Sequence, residues 1–474
     1  MLPWLLVTLA CTEELPDPPP RPDVLLVVLD TVRADHLSAY GHTRATSPQF
    51  DAIAASGVLF EDVTAPASWT WPSHASLFTG TAPWTHGAHF VEGDTGLPLS
   101  GGHLHAAPMR EDLETLAEAF AAAGYRTASL SANQLLAPEL GLTRGFEVAE
   151  TFADDSDILP RARALLRQDD EPLFLFVNFY GAHAPWFITE ATRPLAAQLH
   201  PQAGQEWVLP YVIADGGGVH VHQKPSPGQP SAFEAYVSGE LEIPPDGKRL
   251  IRRLYDGELR RVDQMLNQLL KAWNASGRGA GVVAVTSDHG EYLGERGLLA
   301  HCRTLYPEVL RIPLVLAAPG RLPAGVRVET PVQLQDLHPT LLELAGLAPR
   351  PRPEADSLVP LASDPDAPLN APIKAAAWRD PNLAKRVGGR FEQGYRLFRD
   401  ADEALILGMT GGEEYYALAE DPGMNQDLAA QRPERVEALR AEAARGYPEA
   451  ETSGPVEVSA ETLEVLRAMG YIDG

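Results

Sequence analysis

The chain has 474 residues, 45% of them hydrophobic, with a net charge of -26 and a pI near 4.9. This length and composition support one large α/β core and a smaller unit. Nucleic acid is excluded as a partner, because the chain has no basic excess to neutralise a phosphate backbone. After the N-terminus, no apolar run is long enough to span a bilayer.

The N-terminus resembles a bacterial lipoprotein signal followed by a tether. An apolar run at residues 2–10 ends at Cys11, and a proline-rich polar segment continues to residue 22. We therefore expect an exported protein, periplasmic or at the cell surface, whose only membrane contact is a lipid on Cys11. A simple secretory signal or a frayed apolar end is the alternative. Cys302 is the only other cysteine, so acylation of Cys11 would leave no intramolecular disulfide.

Strands and helices alternate along most of the chain. The sequence predicts strands at residues 23–29, 58–63, 126–131, 173–179, 281–286 and 312–317, and helices at residues 48–57, 72–79, 113–123, 250–273 and 336–345. Short continuous apolar runs are typical of central strands that are covered on both faces. The alternation predicts an α/β fold with a doubly wound, mostly parallel sheet, whose functional sites lie at the carboxyl ends of the strands.

Changes in composition divide the chain into three parts. Residues 1–22 form the signal and tether, residues 23–350 the main domain, and residues 351–474 a linker and a small α+β subdomain. Within the main domain, residues 187–246 are rich in proline and glycine and are expected to form an insertion over the site. The subdomain is predicted to contain strands at residues 395–399, 404–407 and 414–418 and a helix at residues 459–469.

A threonine precedes one predicted helix. In residues 67–80, ASWTWPSHASLFTG, Pro72 has the fixed φ that opens a helix and Gly80 can close it, so Thr70 lies just before the first turn. Unpaired amides at a helix N-terminus favour anions, and a hydroxyl held there against a phosphate or sulfate is a candidate nucleophile. A plain helix cap is the alternative interpretation of Thr70.

Polar residues that follow predicted strands suggest a metal site. Asp30, His183 and the pair Asp288 and His289 each come after an apolar strand. Two carboxylates, the His289 imidazole and the Thr70 hydroxyl make a mixed oxygen and nitrogen ligand set for one divalent ion. Such an ion would activate the hydroxyl and stabilise charge on the transferring group. Taken separately, the two aspartates are interpreted as strand-end caps and His289 as a loop histidine.

Several short motifs occur along the chain in the order that is typical of one protein family. They are residues 29–37 (LDTVRADHL), 70–80 (TWPSHASLFTG), 286–291 (TSDHGE), 305–306 (LY) with 311–313 (RIP), 336–342 (DLHPTLL) and 466–471 (LRAMGY). Together they resemble the sulfatase family of the alkaline phosphatase superfamily. The resemblance implies the fold of that superfamily and the roles of six residues: metal ligands at Asp30, Asp288 and His289, a nucleophile at Thr70, and substrate-facing histidines at His183 and His301.

Departures from the family pattern bear on the reaction. Sulfatases carry a Cys or Ser, in the pattern Cys-x-Pro-x-Arg, that is converted to formylglycine. This chain has Thr70 instead and His74 in place of the arginine. We therefore expect no formylglycine and a direct attack by Thr70, as in the superfamily's enzymes that use an unmodified threonine. The pattern supports one divalent ion, whether Ca, Mn, Mg or Zn, and no second set of ligands.

The remaining polar residues receive narrower interpretations. His301 is expected to act as a leaving-group acid or an anion contact. His74 either acts in the site or packs inside its helix, and Arg303 is a candidate for the missing cation. Residues interpreted as structural are His220, His222, Arg33 and Asp35.

The sequence thus favours hydrolysis or transfer at a phosphate or phosphonate ester through a covalent Thr70 intermediate. A small-molecule, glycan or lipid ester is the expected substrate. Sulfate ester hydrolysis is the alternative among enzymes, and a catalytically silent exported binding protein with the same fold is the alternative from another class. A silent protein has no physical reason to keep all four groups of the metal site.

We predict that Cys11 is lipidated and is the first residue of the mature chain, because an apolar run precedes it and a polar tether follows. Mass spectrometry of the native N-terminus tests this expectation. Recovery of an intact Met1 from the cytosol would remove the argument for export.

Overall fold

The computed structural model describes residues 21–91, 97–99, 104–168, 171–184, 186–187, 218–219, 232–348, 351–365 and 367–444. The predicted signal, most of the insertion at residues 187–246 and the predicted helix at residues 459–469 lie outside these ranges. The helices are α1 Pro48–Ser56, α2 Thr70–Thr79, α3 Pro83–His86, α4 Leu116–Ala122, α5 Ile158–Leu166, α6 Ala232–Ser238, α7 Pro245–Ala275, α8 Pro307–Leu310, α9 Leu337–Leu344, α10 Val359–Ser363, α11 Pro381–Val387 and α12 Pro433–Ala444. Among the described residues, no helix has the length and apolarity needed to cross a membrane.

The strands form one large sheet and several small ones. They are β1 Val24–Leu29, β2 Val58–Thr64, β3 Phe90–Val91, β4 Leu97–Leu99, β5 Leu104–Ala106, β6 Arg126–Ser131, β7 Val148–Thr151, β8 Leu173–Phe179, β9 Trp186–Phe187, β10 Gly218–Val219, β11 Val282–Thr286, β12 Tyr292–Leu293, β13 Leu299–Ala300, β14 Arg311–Ala317, β15 Val326–Val328, β16 Val332–Gln333, β17 Ile373–Ala377, β18 Tyr395–Arg399, β19 Glu403–Gly408 and β20 Glu413–Ala417.

The large sheet has nine strands in the order β15-β2-β14-β11-β1-β8-β6-β7, with β16 also paired to β2. Strand β14 runs against its two neighbours, and the other pairings are parallel. The central strands β1 and β8 are buried along their whole length, which explains their continuous apolar sequences. The predicted doubly wound, mostly parallel sheet is therefore confirmed.

Local sequence explains where the elements depart from the predictions. Helix α4 begins at Leu116 instead of residue 113, because Thr115 and Glu118 form a reciprocal capping box. Helix α2 begins at Thr70 itself, with Trp69 as its N-cap, so the threonine is the first helical residue. The edge strand β7 was not predicted; its residues are only partly buried and lack a continuous apolar run.

A small antiparallel sheet follows the main domain. Strands β17 to β20 pair in chain order. The three strands predicted after residue 390 correspond to β18, β19 and β20, whereas β17 was not predicted. Helix α12 packs on this sheet through a separate apolar cluster formed by Phe398, Leu405, Tyr415, Val436, Leu439 and Ala443. Together they form the small C-terminal subdomain.

The long helix α7 holds the segment that follows β1. The Tyr255 hydroxyl donates a hydrogen bond to the carbonyl of Thr31 at 2.7 Å and accepts one from the amide of Arg33 at 2.9 Å. The carboxylate of the next residue, Asp256, lies 2.8 Å from Nδ1 of His36. The helix thus fixes the backbone of the turn at the carboxyl end of β1.

The same helix also caps α1. Ser47 precedes α1 without capping it through its side chain, and the buried carboxylate of Asp263 accepts hydrogen bonds from the amides of Gln49, at 3.1 Å, and Phe50, at 3.0 Å. A carboxylate at a helix N-terminus pairs with amides that have no partner inside the helix. Asp263 therefore joins α1 to α7.

We predict that Asp263→Ala lowers the free energy of unfolding by about 1.5–3 kcal/mol, the range for hydrogen bonds to a charged group. Urea unfolding followed by circular dichroism measures this change. Asp112→Ala is the control, because Asp112 is 64% exposed in a surface pair with Arg110, and its loss should cost less than about 1 kcal/mol. Equal effects of the two substitutions would contradict the capping role.

Candidate metal-dependent active site

Two neighbouring strands and one helix bring the predicted quartet together. Strands β1 and β11 pair in parallel with Val28 level with Thr286, so the residues after both strands reach the same edge of the sheet. Asp30 follows β1, and Asp288 and His289 follow β11. Helix α2 begins at this edge with Thr70, which is 2% exposed, while the other three residues are fully buried.

The quartet has the spacing of a ligand set. One ligand atom from each of Asp30, Asp288 and His289 lies within 4.8 Å of the others. Nε2 of His289 lies 3.3 Å from Oδ2 of Asp288 and 3.5 Å from Oγ1 of Thr70. Within the part of the chain that the structure describes, Oδ1 of Asp30 and Oδ2 of Asp288 have no hydrogen-bond partner. Two unpartnered carboxylate oxygens beside an imidazole fit a divalent cation.

Burial controls the protonation of these groups. Burial raises the pKa of Asp30 well above its usual value, and the nearby Asp288 raises it further. Burial likewise raises the pKa of Asp288 to about 7, although backbone amides oppose the shift. The pKa of His289 is lowered by burial, so its ring is held neutral as a metal ligand requires. The site therefore disfavours two bare carboxylates and favours a cation between them.

Two asparagines complete the site, and sequence reasoning missed both. Nδ2 of Asn133 donates to Oδ2 of Asp30 at 2.7 Å and to Oγ1 of Thr70 at 3.2 Å. Nδ2 of Asn178 lies 3.5 Å from the same Asp30 oxygen. The signals were present, since Asn133 follows a predicted strand and Asn178 interrupts the apolar run of β8.

The two predicted substrate-facing histidines lie beside the quartet. The ring of His301 is 4.5 Å from that of His289 and 5.0 Å from that of His183, measured between centroids. Nδ1 of His301 lies 2.9 Å from Oε1 of the buried Glu291. Burial raises the pKa of Glu291 to about 7, and burial with the neighbouring imidazoles lowers that of His301. These shifts favour a single proton shared by the pair.

His74 is a neutral neighbour of Thr70. Its Nδ1 lies 3.0 Å from the carbonyl oxygen of Thr70 and 3.6 Å from Oδ2 of Asp288, and its ring packs on Phe78 and Phe176. Burial lowers the pKa of His74 to about 3. An uncharged ring at this position does not replace the positive charge of the family's arginine.

Arg303, which was the candidate for the missing positive charge, pairs with Asp380. Its guanidinium binds the carboxylate of Asp380 at 3.0 Å and donates to the carbonyl of His301 at 2.6 Å. Arg303 thereby fixes the backbone of His301. The predicted structural pair of Arg33 and Asp35 is present, with the ionic groups 2.7 Å apart.

Two sulfatases are similar to this chain over most of their own length. A sulfatase of Formosa agariphila is 26% identical over 471 residues, covering 89% of this chain and 86% of the relative. The Delta 4,5-hexuronate-2-O-sulfatase of Bacteroides thetaiotaomicron is 22% identical over 451 residues, covering 86% of this chain and 85% of the relative.

Solved structures share the fold. One, solved in complex with its substrate D-glucosamine-2-N,6-O-disulfate, matches with a TM-score of 0.71 and 17% identity, covering 92% of this chain and 99% of the other. The phosphonate monoester hydrolase of Agrobacterium radiobacter matches with a TM-score of 0.67 and 21% identity, covering 93% of this chain and 99% of the other. The Sulfatase family model matches residues 22–347, and the chain belongs to the sulfatase family.

Proposed function

We propose that this family member hydrolyses a sulfate ester of a sugar-like alcohol with one divalent ion and Thr70 as the nucleophile. The observation that carries the proposal is the convergence of Asp30, Asp288, His289 and the Thr70 hydroxyl at one buried edge. Two relatives that match more than four fifths of this chain are named as sulfatases, which supports sulfur as the central atom. Thr70 considered alone favours phosphorus.

The residues of the chain divide the reaction between them. A bound divalent ion would supply positive charge that activates the hydroxyl and offsets charge on the transferring group. The bond from Thr70 Oγ1 to sulfur forms while the bond from sulfur to the alcohol oxygen breaks. The leaving oxygen takes the proton held by the pair of Glu291 and His301, and the proton from the threonine replaces it. Water then attacks sulfur and the bond from sulfur to Thr70 Oγ1 breaks. One proton of the water restores the Thr70 hydroxyl, and hydrogen sulfate leaves and loses its proton to solvent.

A phosphate or phosphonate ester is the second candidate, and the identity of residue 70 favours it. A formylglycine hydrate can expel sulfate by elimination, whereas a threonyl ester must be cleaved by water at the central atom. Phosphoryl transfer uses this second route readily when positioned donors and a metal spread the charge. The fold shared with a phosphonate monoester hydrolase is compatible with this candidate.

Matched aryl esters separate the two candidates. Purified protein is assayed on 4-nitrophenyl sulfate, phosphate and phenylphosphonate and on bis(4-nitrophenyl) phosphate, each with Ca, Mn, Mg or Zn. A higher kcat/KM on the sulfate supports the proposal, and a higher value on any phosphorus ester supports the second candidate. No turnover of any ester with any ion contradicts both and favours the silent binding protein.

We predict that a divalent ion stabilises the protein through Asp288. An ion at about a hundred times its Kd adds about 2.7 kcal/mol to the free energy of unfolding, and Asp288→Asn should remove most of this gain because it removes one buried charge. Melting temperature with EDTA and with each ion measures the effect. Asp246→Asn, at a residue 61% exposed on α7, should keep the full response, and a full response in Asp288→Asn would contradict the site.

We predict that Thr70→Ala lowers kcat by about 10³-fold or more, as removal of an essential nucleophile does. Thr70→Ser should keep part of the activity, because serine preserves the hydroxyl at the helix terminus. Steady-state rates on the best ester measure both. The control Thr85→Ala removes a hydroxyl that binds Glu354 outside the site and should leave kcat unchanged. Wild-type rates in Thr70→Ala would exclude Thr70 as the nucleophile.

A further inference from the structure

We infer that Asn133 is a catalytic residue whose Nδ2 group donates one hydrogen to the nucleophilic oxygen, and that this hydrogen bond also stabilises the negative charge that forms beside that oxygen. The inference rests on the proposed function, because it takes Thr70 as the nucleophile. Nδ2 of Asn133 lies 3.2 Å from Oγ1 of Thr70 and 2.7 Å from Oδ2 of Asp30. A single amide group thus contacts both the nucleophile and a metal ligand, and its side chain is 3% exposed.

The orientation of the amide is fixed by its own partners. Oδ1 of Asn133 accepts a hydrogen bond from the amide of Leu135 at 2.9 Å, so the nitrogen must face Asp30. An exchanged orientation would set Oδ1 against a carboxylate oxygen that only accepts. The Asn133 main-chain amide donates to Oγ of Ser131 at 2.9 Å, and that hydroxyl lies 3.1 Å from Oδ1 of Asn178. The donor is held before any substrate arrives.

Neighbouring strands build this arrangement. Strands β1, β8 and β6 are adjacent in the sheet. They carry Asp30, Asn178 and Asn133 at or near their carboxyl ends. The Asp30 carboxylate takes one hydrogen of the Nδ2 group, and the second points to the Thr70 hydroxyl. The position of Nδ2 is therefore set by the sheet and not by a mobile loop side chain.

The Asn133 donor can also stabilise the charge that develops during the attack. As Oγ1 bonds to the central atom, negative charge collects on the oxygens of the transferring group close to Oγ1. His74 is neutral and Arg303 is bound to Asp380, so neither supplies the charge of the family's arginine. A preorganised donor in a buried site lowers such a barrier, and removing one costs about 10²–10³-fold in kcat. Asn133 is the side chain placed to do this.

Asn133 also has a structural role, and one substitution separates this role from the proposed catalytic one. Through Oδ1 the residue caps the short helical turn at Gln134–Leu136. Serine is an equally good cap, because its hydroxyl can accept the same amide, but it is too short to reach Thr70. Asn133→Ser therefore keeps the turn and removes the donor, while Asn133→Ala removes both.

The experiment compares wild type, both variants and Asn370→Ser, whose amide also donates to an aspartate but on an exposed loop. Two readouts are used: kcat and KM on the best ester, and the affinity of the metal-loaded protein for vanadate, an oxyanion that mimics the transferring group. We expect Asn133→Ser and Asn133→Ala to lose about 10²-fold or more in kcat, with KM little changed and vanadate binding at least tenfold weaker. Asn370→Ser should match wild type.

The outcomes distinguish this inference from the proposed function. Wild-type kcat in Asn133→Ser, with a loss confined to Asn133→Ala, means that only the cap matters and overturns the inference. If wild type turns over no ester, the proposed function fails and vanadate still decides the role of Asn133. Weaker binding in Asn133→Ser, with an unchanged melting temperature, supports the donor. Equal affinity in the two proteins, or no vanadate binding by wild type, overturns it.

Discussion

The arrangement of the site depends on two carboxylates that are buried side by side. Asp30 and Asp288 are fully buried at the ends of adjacent parallel strands, where an uncompensated carboxylate costs several kcal/mol. The chain compensates one oxygen of each: amides of Thr31 and His289 bind Oδ1 of Asp288, and Asn133 binds Oδ2 of Asp30. The other two oxygens, Oδ1 of Asp30 and Oδ2 of Asp288, have no hydrogen-bond partner among the described residues. The protein thus satisfies one oxygen of each carboxylate and leaves the other without a partner in the part of the chain that the structure describes, as the proposed cation site requires.

The backbone between these charges is strained, and the surrounding elements hold it. Thr31 has a φ of 57°, a left-handed conformation that is costly for a β-branched residue. Its amide donates to Asp288 at 3.2 Å and its carbonyl accepts from Tyr255 at 2.7 Å, so the peptide groups on both sides of Thr31 are fixed. Tyr255 belongs to α7, which is itself tied to α1 by Asp263. Helix packing far from the chemistry therefore contributes to the position of Asp30.

Sequence reasoning found the parts of the site that depend on local pattern. Asp30 and Asp288 follow apolar strands and Thr70 opens a helix, and these signals lie within a few residues. The role of Asn133 depends instead on strand order, because β6 reaches β1 only through β8, which follows it by more than forty residues in the chain. The pairing of Arg303 with Asp380 joins residues that are 77 positions apart in the sequence, and it connects the main domain to the region of β17. Contacts of this kind require the assembled topology.

The residues that this chain shares with sulfatases and the identity of residue 70 concern different steps of the proposed reaction. In the proposed reaction, the metal ligands, the helix terminus and the leaving-group histidines would act on the first attack, which is the same displacement whether sulfur or phosphorus is the centre. Under the proposed function, residue 70 would matter most in the second step, because a threonyl ester cannot release its group by elimination and must be cleaved by water at the central atom. Because Asn133 contacts Oγ1, its hydrogen bond is available in both directions, to the attacking oxygen and then to the departing one. Under the proposed function, the chain would use the family's set of metal ligands to form the intermediate and would rely on neutral donors, where the family uses a cation, to resolve it.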